Sequence, residues 1–359
     1  MRAAVCHRFG HPLVIEEVEL AKPASGEVSV RVDACGVCHS DISFIEGAWG
    51  GDLPAVYGHE VAGVVTDVGP DVDSLRSGDH VVVTLVRSCG RCFYCMRGEP
   101  TQCVGAFAID ESGPLRLARG GRLKQAMHVG GFAESVTVHS SQVVPIPAGV
   151  PPESGCLLAC AVATGVGAVR NTAQVAPGAS VVVIGAGGVG LNSVQGAALA
   201  GARPVIAVDV SESRLEAARL FGATNVVNPK RTDAATAIRE ATEGRGADYT
   251  FISAGSPAAI ELGLTTSRRG GTVVIVGITG TGVTVPVDPG ELADSARRVL
   301  GCKMGAIRPQ VDIPALVEAY RAGQLKLDEL VTARFPLARI NEAIDTARRG
   351  EGLRTVITF

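Results

Sequence analysis

The string CGRCFYCMRGEPTQC sets Cys89, Cys92, Cys95 and Cys103 in the spacing C-x2-C-x2-C-x7-C. Four thiolates this close in sequence can reach one tetrahedral cation, and soft sulfur donors select Zn²⁺. Iron–sulfur ligation is the nearest chemical rival, although its usual cysteine spacings differ. Buried or disulfide-paired thiols are the other alternative. A four-sulfur shell leaves no coordination position open, so a zinc there holds a loop together and does no chemistry.

Three further residues are candidates for a second site: Cys38 in ACGVCHSD, His59 in YGHE and Cys160 in LLACAVATG. One imidazole and two thiolates would leave a fourth position for water or substrate, the ligand logic of a catalytic zinc. Long intervals separate the three, so spacing does not identify them, and core packing is the alternative for each. Glu60 adjoins His59 and is a candidate transient ligand or an ordinary ion-paired carboxylate. Asp41 is a candidate to orient His59 through its second ring nitrogen, the alternative being a turn or capping aspartate.

The β-branched run Val181-Val182-Val183-Ile184 leads directly into Gly185-Ala186-Gly187-Gly188-Val189-Gly190, and a small-residue helix is expected from about Leu191 to Ala200. The glycine pattern alone is weak in a chain of 45 glycines. Strand, G-x-G-x-x-G and helix in that order mark a dinucleotide-binding turn. Gly185 serves the tight turn, Gly187 admits a pyrophosphate and Gly190 lets helix and strand pack. The next strand, Pro204 to Val208, ends at Asp209, placed to accept from an adenosine ribose and to repel a 2′-phosphate. NAD is therefore expected over NADP. Arg214 lies nearby and could meet a phosphate, and a helix cap is the alternative for Asp209.

A chain of 359 residues, 46% hydrophobic and 19% charged, supports two folded domains and argues against disorder. A net charge of −3 gives no reason to expect nucleic acid or an anionic membrane as partner. The N-terminal MRAAVCHRFG lacks the basic and apolar blocks of a signal peptide. No apolar run reaches the ~18–20 residues of a membrane span, and zinc-binding reduced thiols fit a cytoplasmic setting.

Residues 1–150 read as strand-rich, for example Glu27 to Ala34, Val61 to Val68 and His80 to Val86, with Gly26, Gly58, Gly63, Gly69 and Gly78 at the junctions. This predicts an all-β, barrel-like domain. Residues 104–131 lack clear periodicity and are expected to form an extended lobe beside the four-cysteine site. From about 181 to 280 strands alternate with helices, which predicts a doubly wound parallel sheet.

GVCHSD, GHE, the four-cysteine cluster, CLLACAVATGVGA, GAGGVG with Asp209 and the terminal LRTVITF occur in the order found in zinc-dependent medium-chain alcohol dehydrogenases, and the resemblance spans the whole chain. It is closest to the branch of the liver enzymes and glutathione-dependent formaldehyde dehydrogenases. The resemblance implies an α/β fold: a GroES-like β-barrel-like catalytic domain at 1–161, completed by 304–359, and a Rossmann NAD-binding domain at 162–303. It implies two zinc ions per chain, with Cys38, His59 and Cys160 on the catalytic one, Glu60 behind it and Asp41 steadying His59. Ser40 resembles the hydroxyl that takes the alcohol proton. His39 and Arg354 resemble contacts to the cofactor pyrophosphate, and Thr164 and Val189 resemble residues beside the nicotinamide. For Thr164 and Arg354 the residues alone favour a turn and a solvated C-terminal cation.

The implied reaction interconverts an alcohol and its aldehyde by hydride transfer with NAD(H), in a homodimer or homotetramer. Ser43 stands where liver-type enzymes carry the histidine that ends the proton relay, and a hydroxyl does not titrate near pH 7. Phe107 stands near the place where the formaldehyde branch carries an arginine, which argues against glutathione-adduct oxidation. Trp49, Leu85 and Phe107 instead suggest an apolar pocket, with core packing as the alternative for each. The expected substrate is a primary apolar or aromatic alcohol. A polyol dehydrogenase, the thiol-adduct enzyme and a zinc- and nucleotide-binding protein without activity are the other readings.

Overall fold

Short valine-rich segments punctuated by glycine and proline pair early in the chain. The computed structural model describes residues 1–359. In the first part lie β1 (Arg2–Cys6), β2 (Val14–Leu20), β3 (Glu27–Val37), β4 (Ala55–Val56), β5 (Glu60–Val68), β6 (His80–Val83), β7 (Leu115–Leu117), β8 (Lys124–Gln125), β9 (Ser135–His139) and β10 (Val143–Pro145). One sheet runs β7-β2-β1-β4-β8; a second runs β10-β6-β5-β3, with β9 also on β3. In β3 the side chains of Val28, Val30 and Val32 are buried, and so are Glu27 and Ser29 between β5 and β9, which leaves Arg31 as the one exposed residue of the strand.

Two sequence expectations change here. Gly63 is no junction: it lies inside β5 opposite Val32, and a Cβ there would stand 2.0 Å from the Arg31 carbonyl oxygen. Residues 104–131 are not simply an extended lobe. They form the helix Ala108–Ser112 and supply β7 and β8 to the first sheet. Strands of three and two residues are too short to show alternation, so only partner strands reveal them.

The second unit, Ala161–Ile307, holds β11 (Val181–Ile184), β12 (Val205–Val208), β13 (Asn225–Val227), β14 (Ala247–Ile252), β15 (Ser267–Ile275) and β16 (Arg298–Gly301). All pairs are parallel, in the order β13-β12-β11-β14-β15-β16, which is the doubly wound arrangement. Every residue of β11 and β12 is buried, as expected for strands covered on both faces. The helix after β11 begins at Gly188 rather than near Leu191, because Gly187 is its N-cap and the last glycines turn inside it. β15 starts at Ser267, where the preceding helix Pro257–Thr266 ends, so SRRG belongs to the strand.

From Arg308 the chain rejoins the first unit, Met1–Cys160 with Arg308–Phe359. It adds β17 (Val331–Pro336) and β18 (Arg354–Thr358), with β18 between β17 and β3. Thr355 pairs with Val37, so the terminal strand carries Arg354 to the end of β3 that leads into Cys38. No single helix is long and apolar enough to cross a membrane.

Candidate active site and metal centres

β3 ends at Val37, and Cys38 caps the helix His39–Ile45. Asp41, on the first turn, is fully buried and reaches back. Its carboxylate accepts from Cys38 N–H at 3.0 Å, Gly58 N–H at 2.9 Å and His59 Nδ1 at 3.1 Å. Three donors leave this aspartate no freedom, and its bond to Nδ1 directs His59 Nε2 the other way. There Nε2 is buried without a hydrogen-bond partner. The ligand atoms of Cys38, His59, Glu60 and Cys160 lie within 4.8 Å of one another, all four residues buried. An orphaned imidazole nitrogen among two sulfurs and a carboxylate fits a Zn²⁺ ion.

The shifts within this cluster run in both directions. A hydrogen bond from Cys160 holds Cys38 well below the ordinary thiol range; burial opposes it and His59 assists. The same bond, with burial, pushes Cys160 well up. Burial works against a charged His59, but the Asp41 carboxylate and the Cys38 sulfur together outweigh it and raise the ring's pKa. Ligands must be deprotonated to bind a metal, and of the three only Cys38 is shifted in that direction.

Glu60 opens β5 opposite Gly36 of β3. Burial pushes its carboxyl up to about 7, with Arg354 opposing. Arg354 Nη2 donates to Glu60 Oε2, and Arg354 is only 7% exposed. The terminal arginine is thus a buried ion-pair partner, not a solvated cation, and its Nε has no partner. Gly36 was not singled out from the sequence, although a lone glycine in an apolar run signals close approach. A Cβ there would stand 2.1 Å from Glu60 Oε2. Gly36→Ala is therefore expected to displace the Glu60–Arg354 pair and lower stability by about 1–3 kcal/mol. Urea denaturation checks this, and an unchanged midpoint would contradict the placement.

Cys89, Cys92, Cys95 and Cys103 also bring their sulfurs within 4.8 Å of one another, each half-buried. All ten cysteines are free thiols, which removes the disulfide alternative. Cys103 Sγ accepts from the N–H groups of Cys89 and Gly105, each at 3.4 Å, and Cys95 Sγ from Ser88 Oγ at 3.3 Å. The N–H groups of Cys95 and Val104 lower Cys92 to about 6, while burial raises Cys103 to about 11. This is the structural zinc centre.

In the second unit Gly185 has φ +95°, and Gly190 sits where a Cβ would fall 1.7 Å from the Gly185 carbonyl oxygen. Nothing lies within 4 Å of a Cβ built on Gly187, so the helix N-terminus is open to a phosphate. Asp209 is not a helix cap; that place is taken by Ser211. Its carboxylate accepts from Ala186 N–H at 2.7 Å and Ser211 N–H at 2.9 Å, tying the end of β12 to the glycine turn. Arg214 Nη1 is 3.9 Å from Asp209 Oδ2. Val189 lies in the first turn of the helix Gly188–Leu199, and Thr164 Oγ1 donates to Met304 Sδ at 3.6 Å.

The remaining candidates are placed as follows. Ser40 is half-buried on the helix capped by Cys38, and His39 before it is exposed. Trp49 meets Phe44 edge-on at 5.0 Å, and Leu85 packs against the first unit's core. Phe107 lies between the Arg87 guanidinium, 4.2 Å from its ring centre, and His139, at 4.8 Å.

Residues 24–148 match the alcohol dehydrogenase GroES-like domain family and residues 188–321 the zinc-binding dehydrogenase family. The chain is 40% identical to an NDMA-dependent alcohol dehydrogenase of Amycolatopsis methanolica, covering 99% of this chain and 98% of that protein. It is 37% identical to an S-(hydroxymethyl)glutathione dehydrogenase of Synechocystis, covering 100% and 99%. The crystal structure of benzyl alcohol dehydrogenase from Acinetobacter calcoaceticus superposes with a TM-score of 0.93 at 34% identity, covering 100% of this chain and 99% of that one. With both zinc-site cysteine sets and the glycine turn in place, the chain belongs to the zinc-dependent medium-chain alcohol dehydrogenases and is an oxidoreductase of that family.

Proposed function

We propose that this enzyme interconverts a primary apolar or aromatic alcohol and its aldehyde, with NAD(H) as redox partner. The observation that carries the reading is His59 Nε2, buried and unpartnered beside Cys38, Glu60 and Cys160. Cys38, His59 and Cys160 would hold a catalytic zinc, which supplies Lewis-acid stabilisation of negative charge on the substrate oxygen. NAD supplies the hydride acceptor, its pyrophosphate on the Gly185–Gly190 turn and its ribose beside Asp209.

Asp41 fixes the His59 ring through Nδ1, which turns Nε2 away from that carboxylate. Ser40 takes the alcohol proton toward solvent. Ser43, half-buried one turn on, is a hydroxyl that carries no charge near pH 7. Trp49 and Leu85 supply apolar surface, and the likeness to benzyl alcohol dehydrogenase supports an aromatic substrate. Phe107, covered by Arg87 and His139, speaks against a grip on a glutathione carboxylate; both Nη atoms of Arg87 are already on Asp110. Reduced zinc-binding thiols suit a cytoplasmic enzyme, and the family resemblance supports a homodimer or homotetramer.

An absorbance assay at 340 nm tests the substrate. Benzyl and medium-chain alcohols should be oxidised with higher kcat/KM than S-hydroxymethylglutathione or a polyol; the reverse order would overturn the reading. In the same assay NAD⁺ should exceed NADP⁺ by about tenfold or more, since ~1.4 kcal/mol of repulsion at Asp209 suffices for that. Equal use of the two would show that Asp209 does not set the choice.

A further inference from the structure

Between β6 and the first structural cysteine runs Thr84-Leu85-Val86-Arg87-Ser88. Thr84 is fully buried, and its Oγ1 donates to the Ala159 carbonyl at 2.7 Å. Ala159 ends the 3₁₀ turn Cys156–Ala159, where carbonyls lose their intrahelical partners. The next residue is Cys160. Because the peptide unit is planar, the direction of the Ala159 carbonyl also sets that of the N–Cα bond of Cys160, the base from which its side chain projects.

At its other end the segment bears on the four-cysteine lobe. Ser88 Oγ donates to Cys95 Sγ, and Cys89 follows directly. Both ends rest on one pair of residues. Ser88 N–H donates to Ser141 Oγ at 3.0 Å. Thr84 N–H donates to the Gln142 carbonyl at 3.0 Å, and Gln142 Nε2 returns a bond to the Thr84 carbonyl at 2.9 Å. The segment is thus held at each end, with one hydroxyl on the carbonyl that precedes Cys160 and the other on Cys95 Sγ.

We propose that Thr84–Ser88 is a strut joining the two metal centres, with Thr84 a positioning residue for Cys160 and Ser88 for Cys95. This rests on reading Cys38, His59 and Cys160 as metal ligands. Thr84→Val keeps the side-chain shape and removes the donor, freeing the Ala159–Cys160 peptide to rotate. Groups that orient metal ligands typically carry 10–100-fold in metal affinity.

The test uses the zinc-loaded chain and three readouts: zinc release to a chelator, the absorption of the Co²⁺-substituted enzyme, and Tm. In Thr84→Val one zinc equivalent should leave at least about tenfold faster than in wild type. The cobalt bands of the two-cysteine centre should shift, and Thr84→Ser should restore both. Ser88→Ala should speed loss of the structural equivalent and, through the strut, of the other as well. A lower Tm with unchanged cobalt bands and release rates would make Thr84 merely structural and overturn the proposal. Should Thr84→Val not fold, loss of the structural equivalent alone in Ser88→Ala would overturn it equally. A wild-type chain holding only the four-cysteine zinc is a different failure, because it removes the functional reading first.

Discussion

Cys160→Ala is expected to lower kcat/KM for the best alcohol by at least about 10³-fold while the chain stays folded. Lewis-acid stabilisation of the substrate oxygen supplies several kcal/mol, and each 1.36 kcal/mol is tenfold in rate. Cys160 lies within 4.8 Å of the ligand atoms of Cys38, His59 and Glu60. Alanine therefore removes one of two sulfurs and leaves a set too poor in charge to hold a divalent cation firmly. The side chain is small and its loss leaves little cavity, so Tm of the metal-depleted proteins should differ little. Steady-state kinetics at 340 nm decide the matter. Activity within tenfold of wild type would remove Cys160 from the catalytic centre.

Asp41→Ala is expected to cost about 3 kcal/mol or more of stability and to weaken zinc binding 10–100-fold. Three buried donors, Cys38 N–H, Gly58 N–H and His59 Nδ1, lose their acceptor together. An unsatisfied buried donor costs about 1–3 kcal/mol. Freed of its partner, the imidazole can also rotate or take the other tautomer. Asp41→Asn should fall between, since one amide oxygen can still accept while the amide nitrogen faces donors. Chemical denaturation gives the stability and chelator competition the affinity. An alanine variant within about 0.5 kcal/mol of wild type, the scatter of surface substitutions, would contradict the network.

Much of this architecture is legible in the sequence. Val181–Ile184 followed by the glycine turn is local in sequence, and both strand and turn obey short-range rules, so Gly185, Gly187 and Gly190 took the places their pattern predicts. The four-cysteine centre is equally local. Cys38, His59 and Cys160 are not, and only resemblance joined them, because a cluster made by β3, β5 and a turn far along the chain leaves no periodic trace. Gly36 and Thr84 escaped altogether. Gly36 matters through the carboxylate opposite it in β5, and Thr84 through a carbonyl 75 positions away. Arg354 read as a solvated cation when taken alone because nothing local announces that β18 enters the sheet beside β3.

Metal content per polypeptide tests the central claim most directly: one ion enclosed by four sulfurs, a second held by two sulfurs and an imidazole. Elemental analysis should find two zinc ions per wild-type chain, falling to one in Cys160→Ala. A wild-type chain with a single zinc, or Cys160→Ala keeping both, would contradict the account.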